Sequence, residues 1–143
     1  MKIKQISLFV ENKPGSLTMA CRALAQAGLN IVTLTLADTQ QFGILRLLVR
    51  DWQKAQSVLQ QAGFVVNATD VVAIEVADRP GGLLGLLEIL EAGKVNIEYM
   101  YAFTVRKGAS AIMIFRFEDP DGAIKLLQGS GKDVIKGTEL FEF

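Results

Sequence analysis

The chain repeats itself. Asn12-Lys13-Pro14-Gly15-Ser16-Leu17 matches Asp78-Arg79-Pro80-Gly81-Gly82-Leu83 at an offset of 66, and the same offset aligns Leu24 with Leu90 and Asn30-Ile31 with Asn96-Ile97. Further on the offset is 68: Asp51 aligns with Asp119, Ala55 with Ala123, Leu59 with Leu127 and Gly63 with Gly131. The second copy therefore holds two extra residues between Ile97 and Asp119, expected in a hairpin near Arg106-Lys107-Gly108. Repetition at a fixed period means that one supersecondary unit is built twice. The 143 residues divide into a first unit, residues 1–70, and a second, residues 71–143. No stretch rich in proline, glycine or serine separates them, because Ala68-Thr69-Asp70 runs directly into Val71-Val72. So short a join predicts units packed side by side about a pseudo-twofold axis.

Within each copy two periods alternate. Ile6, Leu8 and Val10 alternate with polar neighbours, as Val72, Ile74 and Val76 do, which is the pattern of half-buried strands. After Pro-Gly the spacing becomes helical: Leu17, Ala20, Cys21, Leu24 and Ala27 fit one face. Leu29 to Ala37 and Gly43 to Val49 read as a hairpin turning at Asp38 to Gln41. Asp51 is placed to cap a helix that carries Ala55, Val58, Leu59 and Ala62 inward, with Gly63 just past its end. Asp119-Pro120 repeats that start, with proline at the favoured first position. Phe64 to Asn67 completes a fourth strand. Each unit is thus βαββαβ and the fold class is α+β: two ferredoxin-like units, each an antiparallel sheet with both helices on one face. The helix after Pro80-Gly81, with Leu83, Leu84, Leu86, Leu87, Ile89 and Leu90, is apolar nearly all round and calls for cover beyond its own sheet.

Composition narrows the chemistry. Fifteen lysines and arginines balance fifteen aspartates and glutamates, so no basic field is present for a phosphate backbone, and nucleic acid is not expected as a partner. Histidine is absent and Cys21 is the only cysteine. Serine–histidine and cysteine–histidine nucleophiles, histidine-ligated zinc and any CxxC site are therefore out of reach, and no metal or cofactor is expected. No run approaches the roughly 18 apolar residues of a membrane span, and Met1 to Gln5 does not lead into a signal-peptide core. The expected location is the cytoplasm.

The repeated turn is where binding chemistry concentrates. Proline holds its predecessor extended, and glycine permits a sharp bend and a close backbone approach. The amides that open the next helix lack intrahelical partners and make a seat for a carboxylate, aided by the helix dipole. Asp78 can accept from an ammonium, so one bend complements both ends of an α-amino acid. The plainer alternative is that Pro-Gly only turns the chain while Asn12 or Asp78 caps the helix. Tyr99 and Tyr101 share one side of a strand, with Met100 opposite, and either wall a pocket or pack. Phe42, at a hairpin tip, closes a pocket or meets a partner. Arg46 and Arg116 sit mid-strand, as carboxylate ligands or in cross-strand ion pairs. Cys21 reads as a packed small hydrophobe and Trp52 as a surface anchor.

The tandem unit, with Pro-Gly before its first helix and Asn-Ile opening its second strand, resembles the ACT domain. Phe42-Gly43-Ile44-Leu45-Arg46 and Ile97-Glu98-Tyr99-Met100-Tyr101 extend the resemblance, which covers essentially the whole chain. It implies a stand-alone regulatory or sensory module that binds a small-molecule amino acid where paired units meet. There the loop after the first strand of one unit faces the start of the second strand of its neighbour. Carried over, the implied site is Asn12, Pro14, Gly15, Ser16 and Leu17 in one loop and Asp78, Pro80, Gly81, Gly82 and Leu83 in the other. Asn30, Ile31, Asn96, Ile97 and Tyr99 are the strand positions. Asn12 stands where the second copy has Asp78, so the Asp78 loop offers the stronger complement to an ammonium. The resemblance also implies a homodimer and a separate effector enzyme or regulator. The competing readings are a ligand-free protein–protein interaction module and an enzyme on the same scaffold.

Overall fold

The computed structural model of the chain describes residues 1–38, 40–103 and 108–142. It divides into two compact units, Lys4–Thr69 and Asp70–Phe143, with Met1–Ile3 grouped with the latter. The elements of the first are β1 (Ile3–Glu11), α1 (Ser16–Gln26), β2 (Thr33–Asp38), β3 (Phe42–Leu48), α2 (Trp52–Gln61) and the opening residues of β4 (Val66–Ala77). Its strand order is β2-β3-β1-β4. Antiparallel registers set Ile6 opposite Leu47 and Leu36 opposite Leu45. Alternation sends Ile6, Leu8, Val10, Leu45 and Leu47 to the side covered by Ala20 and Leu24 of α1 and Ala55 and Leu59 of α2. Four-residue spacing places each helical pair on one stripe, and each fully buried leucine stabilises by roughly 1.5–3 kcal/mol.

The second unit repeats the plan with the rest of β4, then α3 (Gly82–Ala92), β5 (Ile97–Ala102), β6 (Ser110–Phe117), α4 (Pro120–Gly129) and β7 (Val134–Ile135). Its order is β7-β4-β6-β5, with Val72 opposite Phe115 and Met100 opposite the same phenylalanine on the other side. Leu86, Leu90, Ala123 and Leu127 close its core. A short α5 (Gly137–Leu140), which the sequence pattern does not announce, adds the buried Leu140. The α+β class and the βαββαβ order are as expected. Both acidic caps form: Lys54 N donates to Asp51 Oδ1 and Gly122 N to Asp119 Oδ1, each at 3.1 Å.

Several local expectations change. β2 starts at Thr33, not Leu29: Leu29 N donates to Leu24 O at 3.0 Å to close α1, and Leu29 and Ile31 pack against the core from the connection. β4 is one strand from Val66 to Ala77 instead of two strands meeting at a join, since no glycine or proline interrupts residues 64–79. Leu17 is 37% exposed, because α1 turns Ala20 and Leu24, flanked by Ala23, into the core, and Cys21 is half-buried. Trp52 packs against the first core, with Lys4 Nζ 6.0 Å from its ring centroid, and is more than a surface anchor. Arg116 takes the structural option: its Nη1 donates to Asp70 O at 2.8 Å and its Nε lies 3.6 Å from Glu98 Oε2. The proposed insertion near Arg106-Lys107 lies outside the described residues.

The end of α3 carries a testable strain. Lys94 has φ +56, while Gly28, its counterpart after α1, has φ +72. A left-handed conformation disfavours any residue with a Cβ. Lys94→Gly should therefore raise stability by about 1 kcal/mol, read as a higher urea midpoint; a lower midpoint would contradict this.

Candidate functional site

Both Pro-Gly turns are built alike. After β1, Asn12 N donates to Gln41 O at 2.9 Å, Lys13 N to Glu11 O at 2.9 Å, and the chain turns into α1 at Gly15, φ +91. After β4, Asp78 N donates to Ala109 O at 3.4 Å, Arg79 N to Ala77 O at 3.0 Å, and α3 begins at Gly81, φ +82. The capping positions belong to the glycines, so Asn12 and Asp78, three residues earlier, are not the N-caps. Glycine is needed there because the left-handed region excludes most side chains. It also supplies no capping oxygen. The Leu17 and Thr18 amides accordingly meet no acceptor among the described residues, and the positive end of the α1 dipole is open to an anion.

Beside the first turn lies an open cleft of about 770 Å³. Its polar end is Glu11, Lys13, Pro14, Gly15 and Ser16; its apolar walls are Phe9, Met19, Phe42, Phe64 and Val65. Lys13 Nζ and Glu11 Oε2 are 2.8 Å apart, with side chains 64% and 55% exposed. Phe9, Met19, Phe42 and Val65 are 51%, 49%, 45% and 69% exposed, an unusual run of large apolar surface in one place. A smaller cleft of about 90 Å³ meets the same turn at Asn12 and Leu17, with Leu36 and Gly43.

The expected site residues are thus distributed as follows. Pro14, Gly15 and Ser16 line the large cleft, and Asn12 and Leu17 the small one. Asn30 is exposed on the connection after α1, and Ile31 packs against the core, so neither lines these clefts. In the second unit Asp78, Pro80, Gly81 and Gly82 form the turn, while Leu83 packs against the core. That turn is tighter: a Cβ on Gly82 would fall on the carbonyl oxygen of Ala77 and 2.9 Å from its carbonyl carbon. Asn96 O accepts from Glu118 N at 3.2 Å, Ile97 packs against the core, and Tyr99 lies opposite Arg116, half-buried. Sequence reasoning passed over Phe9, Glu11, Lys13, Met19, Phe64 and Val65. One signal was present: Phe9 is a large aromatic on the outward parity of a strand whose inward residues are Ile6, Leu8 and Val10.

The whole chain, residues 1–143, matches the family model of the ACT domain pair. The protein belongs to that family. Among solved structures the ACT pair is similar to protein BT0572 of Bacteroides thetaiotaomicron, with a TM-score of 0.92 and 38% identity over 100% of this chain and 98% of that one. It shares its fold with the regulatory subunit of aspartate kinase from Thermus thermophilus, at a TM-score of 0.63 and 16% identity over 89% and 91% of the two chains. The Thermus flavus subunit gives 0.61 and 16% over 90% and 92%. No curated protein matches the ACT pair in sequence. Among its described residues, no helix is long and apolar enough to cross a membrane.

Proposed function

We propose that this ACT pair is a cytoplasmic regulatory module that senses a free amino acid, holds it at its Pro-Gly turns and performs no chemistry of its own. The observation that carries the reading is the first turn, where helix amides without acceptors open beside a cleft holding one carboxylate and one ammonium. Such an arrangement binds a zwitterion and moves no proton, which agrees with a chain that has no histidine. The proposed ligand residues are those of the two turns, with Asn30, Ile31, Asn96, Ile97 and Tyr99 contributing where units of paired chains meet. A ligand held in that way favours one arrangement over others and so shifts a population. The output then passes to a separate enzyme or regulator. A homodimer fits the edge strand β2, which presents Leu34 and Leu36 at 40% and 47% exposure.

The test is a thermal-shift screen of the purified chain against the twenty amino acids. A ligand present at 100 times its Kd stabilises by about 2.7 kcal/mol, a shift such a screen resolves easily. At least one amino acid should raise the midpoint. No shift from any of them at millimolar concentration would remove the sensory reading and leave the ligand-free interaction module.

A further inference from the structure

The two units share one plan, yet the residues that wall the large cleft of the first have no like counterparts in the second. At the offset of 66, Phe9 corresponds to Glu75 and Met19 to Gly85; at 68, Phe42 corresponds to Ser110, Phe64 to Lys132 and Val65 to Asp133. The strand registers agree, since Glu11 lies opposite Phe42 and Ala77 opposite Ser110. Every large apolar residue that bounds the first cleft is therefore polar or lacks a side chain in the second copy. The fold does not require them, because the second unit folds the same way without them. They are also poor core material, four of the five being 45–69% exposed.

We propose that this cleft is a selective site for an α-amino acid with a large apolar side chain, one per chain and in the first unit only. The proposal rests on the amino-acid-sensing reading and specifies its ligand. The occupant follows from the two ends of the cleft. Glu11 and Lys13 form an exposed ion pair, an arrangement that contributes little to stability and separates readily. Once apart, Lys13 and the Gly15–Ser16 turn meet the ligand carboxylate while Glu11 meets its ammonium. In the second copy the Glu11 position is Ala77, so this clamp is incomplete there. The ligand side chain then lies among Phe9, Phe42, Phe64, Met19 and Val65, where rings and a thioether favour aromatic and large aliphatic groups. The cleft volume is within the range of about 300–1,000 Å³ usual for small-molecule sites.

Calorimetric titration of the full chain with L-phenylalanine, L-leucine, L-alanine and L-aspartate tests this. Phenylalanine and leucine should bind once per chain, with alanine and aspartate weaker by about tenfold or more. The double variant Phe9→Glu, Val65→Asp installs the second copy's residues and should weaken phenylalanine by about tenfold or more. Glu88→Ala, an exposed change on α3 outside both turns, should leave its affinity within about twofold. Phe42→Ser, likewise a residue of the second copy, serves as the independent variant if the double variant does not fold. Binding of only small or polar amino acids, or binding lost in Asp78→Ala and kept in the double variant, would overturn the cleft proposal and leave the sensory reading standing. Binding of no amino acid would overturn both. Self-association abolished by the double variant, with no amino acid bound, would assign the cleft to a second copy and overturn the proposal.

Discussion

Phe115→Ala should destabilise the protein by about 3–5 kcal/mol, the usual result of emptying an aromatic site in a closed core. Phe115 is fully buried, faces Val72 on β4 and Met100 on β5, and stacks on Phe117 with ring centroids 5.4 Å apart and planes 1° from parallel. Against a total stability of roughly 5–15 kcal/mol such a loss is large. Urea unfolding followed by circular dichroism should show it as a much lower midpoint for the variant. Phe9→Ala removes the same side chain from a site 51% exposed, and its cost should stay below about 1 kcal/mol. The pair separates the residues that hold the fold from those that line its cleft. Equal losses for both would contradict the core described here.

Gly82→Ala should be the second large effect, about 3 kcal/mol. The added Cβ would meet the Ala77 backbone carbonyl, which no rotamer change relieves, so β4 or the start of α3 must move. The aligned position in the first unit is Ser16, which carries a Cβ at the same place in the turn and is half-buried. Ser16→Ala should accordingly change stability by no more than about 0.5 kcal/mol. Denaturation midpoints of the two alanine variants decide the matter. If Gly82→Ala is as mild as Ser16→Ala, the difference in tightness between the two turns is not real.

The architecture was legible because it depends on short-range signals. Ile6, Leu8 and Val10 read as a strand by parity alone, Asp51 and Asp119 as caps by the chemistry of one oxygen, and the Pro-Gly turns by the geometry of two residues. The start of β2 was misplaced because Leu29 and Ile31 are apolar for a different reason: they cover the core from an irregular connection. β4 was split because a repeat boundary invites a break, although no residue there enforces one. The cleft was illegible for a third reason. Phe9, Phe42 and Phe64 are far apart in sequence, and only the pairing of β1 with β3 and the exit from α2 bring them to one place. Besides the outward parity of Phe9, comparison of the two copies at these positions, Phe9 with Glu75 and Val65 with Asp133, was a clue. It has meaning only once the residues are known to be neighbours.

The central claim, that the Pro-Gly turns hold an amino acid, is tested most directly by following backbone amide resonances of the labelled chain during titration with the amino acid that stabilises it most. Saturable shifts concentrated at Gly15, Ser16, Leu17 and Thr18, or at Gly81, Gly82 and Leu83, are the predicted result. Stabilisation whose saturable shifts lie elsewhere, with both turns unmoved, would contradict it.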